Sequence, residues 1–298
     1  MLTRMPRSYV HGQHRREHRR LHDQAAALVD LLHGDTSYPD GSRVLEAGCG
    51  VGAQTVTLAR RSPGATFVSI DISPASLDAA RRAVSRVRLN NVEFQQADIL
   101  NLPFATASFD HVFVCFVLEH MSDPIGVLRR LTALLKPGGT ITVIEGDHGS
   151  TYFHPDSAAA HAAVQCLVGL QANAGGNALI GRQLYPLLVR AGLSQVRVSP
   201  RMVYVDASKP DRVEGFTEKT FIAMIEGVRQ PAIAAGLTTR QQFDAGIRDL
   251  RRATRRDGVF CYTFFKGVGV KRPSFQRQHA VRVASSPRRR KRGKRPRR

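Results

Sequence analysis

The sequence predicts an α/β fold: a mostly parallel sheet with helices on both faces. Three observations carry this. Strand-like and helix-like segments alternate from about residue 41 to 146, the pattern of successive βαβ units. The first strand, ending at Glu46-Ala47, runs into a turn with glycines at 48, 50 and 52 and then into a helical segment. Later strands end in carboxylates, Asp71 and Asp98, at the edge where open α/β sheets bind ligands.

The elements follow in order. Residues 1–40 read as an arm plus a helix, because Ala27, Leu28, Leu31 and Leu32 recur at helical spacing within Gln24 to His33. Asp40-Gly41 is a turn before the first strand. Ser73-Pro74 is a helix start, serine as cap and proline at the first position. Asp123-Pro124 does the same for a helix from Ile125 to Leu135. Strands are expected at Thr66–Ile70, Val92–Ala97, Phe109–Cys115 and Thr140–Glu145. After residue 146 the pattern loosens. Helices are expected at Ala158–Gln171 and Gly181–Ala191, a strand at Gln195–Val205, a helical stretch at Lys209–Arg256 and a last strand at Val259–Lys266. That makes seven strands.

The glycine turn is where a ligand would sit. Glycines let the backbone turn sharply and approach a bound group closely, and the helix that follows offers unpaired N–H groups. The spacing selects the ligand. A dinucleotide turn reads G-x-G-x-x-G and a P-loop ends in Gly-Lys-Ser/Thr, whereas this chain has Glu46-x-Gly48-x-Gly50-x-Gly52 and no lysine. Asp71 lies about twenty residues past the glycines, where a carboxylate can accept both ribose hydroxyls.

These residues, with Asp98-Ile99, the run Phe109-Asp110 to Leu118-Glu119-His120, and Leu135-Lys136-Pro137-Gly138-Gly139, resemble the class I, Rossmann-like S-adenosylmethionine (SAM)-dependent methyltransferases of small-molecule type. The resemblance covers roughly residues 40–146. It implies a seven-stranded sheet whose last strand is inserted antiparallel, with a helical insertion at about 209–256. With residues 148–180 and the N-terminal helix, that insertion would cap the cofactor end. The methyltransferase domain would span 41–272.

The resemblance also implies roles. Glu46, Gly48, Cys49, Gly50 and Gly52 would shape the SAM cradle, Asp71 take the ribose, and Ile72 pack on the adenine. Asp98 and Ile99 would read the adenine edge, and Cys115 and Phe116 lie near the methionine part. On the N-terminal arm, Tyr9, His11 and Arg16 would fold over the cofactor, and an arginine suits its carboxylate. Glu145, Asp147 and His148 follow the fifth strand, where the acceptor would arrive. Tyr152, His154, Arg182, Tyr204 and Tyr262 would line the cap. An acceptor that must lose a proton needs a base; His148 is the candidate, with Glu145 beside it, and His120 reads more as a turn residue.

Composition sets the remaining bounds. The net charge of +20 is concentrated at the ends: eleven basic residues and no acidic one lie beyond Pro273, and the first twenty residues carry a net +5. Subtracting +11 and +5 leaves about +4 for residues 21–272. The tail at 273–298 is Pro/Ser/Arg-rich and expected to be disordered. Nucleic acid enters as a partner only through it. An RNA methyltransferase is therefore an alternative, although no Asn/Asp-Pro-Pro-Tyr/Phe or Pro-Cys motif is present. A non-catalytic SAM-binding module is a third. No apolar run reaches the roughly 18–20 residues of a membrane span, the N-terminus lacks a leader's apolar core, and four scattered cysteines lack metal-ligand spacing. The expectation is a cytoplasmic enzyme using SAM, with no metal, and a small-molecule acceptor.

Overall fold

The computed structural model describes residues 28–273. Helical turns at 28–33 lead into β1 (Arg43–Ala47), α1 (Ala53–Arg61), β2 (Thr66–Asp71), α2 (Pro74–Arg86), β3 (Val92–Gln96), β4 (Phe109–Cys115), α3 (Pro124–Leu134) and β5 (Leu135–His154). Then come α4 (Ala158–Asn173), α5 (Leu184–Arg190) and β6 (Ser194–Asp206). Four short helices follow: α6 (Pro210–Arg212), α7 (Ala223–Gly227), α8 (Arg229–Ala234) and α9 (Arg240–Arg252). The closing strand is β7 (Val259–Val270). The sheet order is β3-β2-β1-β4-β5-β7-β6. The first five strands pair in parallel, and β7 lies antiparallel between β5 and β6.

Local chemistry starts the helices. Ser73 accepts from the Ser76 N–H with Pro74 at the first position, and Asp123 accepts from Gly126 ahead of Pro124. Ser157 caps α4, and Thr239 and Gln242 form a reciprocal capping box on α9. Apolar residues at helical spacing then bury one stripe of each helix. One face of the sheet packs Phe67, Phe113, Ile144, Tyr262 and Phe264 beneath Leu28, Leu32, Leu58 and the cap helices. The other packs Leu45, Val68, Val112, Val114, Ile141 and Val143 against Leu128, Leu131, Leu184 and Leu188.

Two buried ionisable groups tie layers together. Glu46 is 2 % exposed, and its Oε2 accepts from Thr55 Oγ1 at 2.8 Å and Ser69 Oγ at 2.6 Å, joining β1, α1 and β2. Lys266 on β7 is 4 % exposed, and its ammonium donates to Asp35 Oδ1 at 2.6 Å and Thr36 Oγ1 at 2.5 Å. Arg201 of β6 donates to the same Asp35 carboxylate. The segment following the 28–33 helix is thereby fastened to the antiparallel edge of the sheet.

The structure departs from the sequence expectations in places. β5 does not end at Glu145: after an irregularity between Asp147 and Tyr152 it resumes pairing, through His154, with Val259–Cys261. Alternation is lost at that irregularity, so the sequence shows no continuous strand. The segment at 209–256 is a broken set of helices with a π-helical stretch, Val213–Ile222, in which the Thr220 hydroxyl donates to the Gly215 carbonyl. The helix expected at Gly181–Ala191 begins as a 3-10 turn, Ile180–Gln183. The tail and the arm lie outside the described residues, as does the start of the Gln24–His33 helix.

Burial pushes the Glu46 carboxyl up from 4.5 to about 7, against the pull of the Ser69 and Thr55 hydroxyls. Between those pH values the native state holds a proton that the unfolded chain has released. The stabilisation is full below about pH 4.5 and is lost as pH rises to about 7. Glu46→Gln keeps an acceptor for both hydroxyls and removes the titration. Urea unfolding across this window should show the wild type losing up to about 3 kcal/mol relative to the variant, from 1.36 kcal/mol per pH unit. Parallel pH profiles would contradict this role.

Candidate functional site

The site is built from the carboxyl ends of β1, β2 and β4. Where β1 ends, the amides of Gly48 and Cys49 both donate to the Ile70 carbonyl, at 2.8 and 2.9 Å. The chain then turns through Gly48, Gly50 and Gly52 at φ +81°, +52° and +77°. Two of these glycines are needed for different reasons. A Cβ on Gly48 would lie 2.5 Å from Val117 Cγ2, so the turn after β4 comes down onto the glycine loop. A Cβ on Gly52 would meet the Ala80 backbone at 2.8 Å, so α2 packs directly on the start of α1. Gly50, by contrast, faces open space. No side chain caps α1, so its first N–H groups point at that space.

Asp71 closes the cradle. Its Oδ2 accepts from the Gly50 amide and its Oδ1 from the Ser73 amide, both at 2.9 Å. Burial raises its pKa while those two amides pull it back. Each oxygen keeps a further lone pair. Ile72, next along, is 63 % exposed, an apolar platform beside a carboxylate. Asp98 sits one strand over, its Oδ1 accepting from the Leu100 amide at 2.9 Å. Ile99 is half-buried against the second core. An adenosine fits this set: open backbone at Gly50, acceptors at Asp71 for ribose hydroxyls, and Ile72 for a base face.

Three of the expected cradle residues act from behind. Glu46 is turned to the Thr55 and Ser69 hydroxyls. Cys49 is buried, and its thiol pKa is pushed up by that burial and by Glu46 and Asp71. Cys115 lies at the end of β4 with its thiol likewise pushed far up by burial, so neither thiol is a nucleophile. Phe116 follows at φ +58°, a left-handed conformation rare for a bulky residue. Tyr9, His11 and Arg16 lie outside the described residues.

The residues expected on the acceptor side gather at the ends of β4 and β5. Glu145 is fully buried, and its Oε1 accepts from the amides of Val117 and Leu118 at 3.1 and 2.8 Å. Burial and then the Glu119 charge hold its pKa well above the carboxylate range. Through those two amides it anchors the turn after β4. His148 is buried, with Nδ1 3.1 Å from the Tyr262 hydroxyl. That hydroxyl lies over Gly146, where a Cβ would meet it at 2.3 Å. Asp147 is gripped by Arg182 through Nε at 2.6 Å and Nη2 at 2.9 Å, and so serves the loop. Tyr152 and Tyr204 are exposed and do not line a closed pocket. Sequence reading missed Val117, Glu119 and Gln171; only the Glu119 position carried a signal, as part of Leu118-Glu119-His120.

Comparison with known proteins agrees with this geometry. Residues 45–143 match the family model described as a methyltransferase domain. An uncharacterised 37.1 kDa protein of transposon TN4556 in Streptomyces fradiae is 33% identical over 72% of this chain and 61% of its own length. A demethylmenaquinone methyltransferase of Tropheryma whipplei is 32% identical over 49% of this chain and 66% of its own. The solved structure of Haemonchus contortus phosphoethanolamine N-methyltransferase 2, in complex with phosphomonomethylethanolamine and S-adenosylhomocysteine, superposes with a TM-score of 0.52 at 17% identity. It covers 84% of this chain and 53% of that one. The chain thus spans less than two thirds of these relatives' own lengths. Residues 45–143 thus carry a methyltransferase domain, on the Rossmann-like α/β fold that the solved methyltransferase structure shares.

Asp71→Ala should weaken S-adenosylhomocysteine binding by roughly 1.5–3 kcal/mol, as for lost hydrogen bonds to a charged group. Calorimetry on Asp71→Asn, which keeps one acceptor oxygen, should fall between the two. Unchanged affinity in Asp71→Ala would remove it from the ribose site.

Proposed function

We propose that this chain transfers the methyl group of SAM to a small-molecule acceptor held between the ends of β4 and β5 and the helical cap. The observation that carries this reading is the closed end of the sheet. α4, the π-helical stretch and α9 pack Phe216, Phe221 and Phe243 into one core with Tyr262 and Phe264. Helices packed over the sheet in this way suit an acceptor of limited size better than a polymer. Among the described residues no helix is long and apolar enough to cross a membrane, and no cluster of His, Cys, Asp or Glu suits a metal. All four cysteines are free. A cytoplasmic location belongs to the same proposal.

When bound, SAM supplies a methyl already activated on a sulfonium, so the protein's part is alignment. Holding two reactants in line contributes about 7–11 kcal/mol. Gly48 to Gly52, Asp71, Ile72, Asp98 and Ile99 would seat the cofactor, and the Cys115-Phe116 turn would border its methionine end. An acceptor of the form X–H bonds to the methyl carbon as its proton leaves to a base. Glu145 is already engaged by the Val117 and Leu118 amides. His148, hydrogen-bonded to Tyr262, would take the proton, directly or across that hydroxyl.

His148→Ala should lower turnover by roughly two to four orders of magnitude with S-adenosylhomocysteine affinity retained. Unchanged turnover would remove it from the mechanism. The activity itself is tested with methyl-labelled SAM and the full chain, offered naphthoquinols, phenols and amines on one side and total RNA on the other. Label in the small-molecule fraction is expected; label confined to RNA would overturn the acceptor class.

A further inference from the structure

The cradle lies at the carboxyl ends of the parallel strands, and a cluster of cations lies at their other ends. β7 runs antiparallel, so its last residue, Val270, pairs with Thr140 near the start of β5. The Lys271 amide donates to the Gly139 carbonyl at 2.8 Å, and the Gly138 amide donates to the Lys271 carbonyl at 3.0 Å. The Lys271 ammonium reaches the Ala133 and Leu135 carbonyls, where α3 meets β5, at 3.0 and 2.5 Å. Arg129 and Arg130 are exposed on α3, a turn before Ala133. Arg129 Nη2 donates to the Arg190 carbonyl, at the end of α5, at 3.2 Å. Arg190, Lys136 and Arg272 are exposed as well. One corner of the fold thus joins Arg129, Arg130, Lys136, Arg190, Lys271 and Arg272.

These contacts bring in one carboxylate, Asp110, which accepts from Lys136 at 2.8 Å and from the Arg43 amide at 2.9 Å. Carbonyls satisfy donors without cancelling charge, so Lys271 and Arg129 keep theirs. A cation at a helix end suits the helix dipole. That accounts for Lys271 and Arg190, but not for Arg129, Arg130 or Arg272. From this corner the chain continues into residues 273–298, with eleven basic residues and no acidic one. Beyond Ala284, nine of the fourteen residues are Lys or Arg and none is large and apolar. A membrane-surface segment sets cations against apolar anchors, and a platform for single strands needs aromatic rings for stacking. That stretch of sequence has neither. Arginine at this density suits phosphates, which its planar fork meets with two hydrogen bonds.

We infer that this corner and residues 273–298 form one surface for duplex nucleic acid, held by its backbone phosphates without base reading. The corner is set off from the cradle by the length of β4, Phe109 to Cys115, about 20 Å at roughly 3.3 Å per residue. A duplex bound there lies away from the cofactor end of the sheet. The inference stands apart from the proposed methyl transfer and holds or fails without it.

The test titrates the full chain against fluorescein-labelled DNA duplexes of two unrelated sequences. Affinity should fall at least about a thousandfold between about 50 and 200 mM salt, the loss for six or more phosphate contacts, and the two sequences should agree within about threefold. Arg130→Gln, Arg190→Gln and Arg272→Gln combined should weaken binding at least about tenfold and lower the salt slope by about three, and so should Arg288→Gln, Arg289→Gln and Arg290→Gln combined. Arg240→Gln, Arg248→Gln and Arg255→Gln, exposed on and just after α9, remove the same charge elsewhere. They should shift affinity by less than about twofold if place matters and not net charge alone. Thermal unfolding of each variant is compared with the wild type, so that a lost fold is not read as a lost contact. Unchanged affinity in either the corner variant or the tail variant, or an equal loss in the α9 variant, would overturn the inference. So would binding to equimolar phosphatidylcholine–phosphatidylserine vesicles without binding to the duplexes.

Discussion

The site depends on one close approach: Val117 over Gly48. The turn after β4 descends onto the glycine loop so tightly that no side chain fits at position 48. Phe116 adopts a left-handed backbone to make the descent, a conformation that costs roughly 1–3 kcal/mol and persists only when its surroundings enforce it. Glu145 enforces it, with one oxygen receiving both following amides from across the sheet. The glycine loop and the turn after β4 therefore share a wall, and β5 holds that wall in place.

A second carboxyl does comparable work at the other end of the cradle. Glu46 gathers hydroxyls from α1 and β2 beneath the glycine turn, so the turn rests on a hydrogen-bonded platform. Burial raises the pKa of both carboxyls. Two acids of similar placement along their strands thus each hold a turn of the site through hydrogen bonds.

Much of the fold was legible because its determinants are local. The Ser73-Pro74 and Asp123-Pro124 starts and the glycine turn are set by backbone sterics and short-range hydrogen bonds, and each lies where the pattern puts it. The continuation of β5 to His154 was not legible, since pairing with Val259–Cys261 spans more than a hundred residues. The π-helical stretch at Val213–Ile222 has no turn or cap signal of its own.

The site divides along the same line. The amino-acid sequence by itself determined the cofactor class: alternate glycines, Asp71 and Asp98 form a cradle from segments adjacent in chain order, where spacing is geometry. Only the tertiary structure decided what each acid does. The amides of Val117 and Leu118 meet Glu145 from across the sheet and make it an anchor of the turn. The meeting of Gln171 and Glu119 brings α4 to the turn after β4. Burial and partnership across the fold are not encoded in spacing, so the acceptor end could be read only once the chain had folded over it.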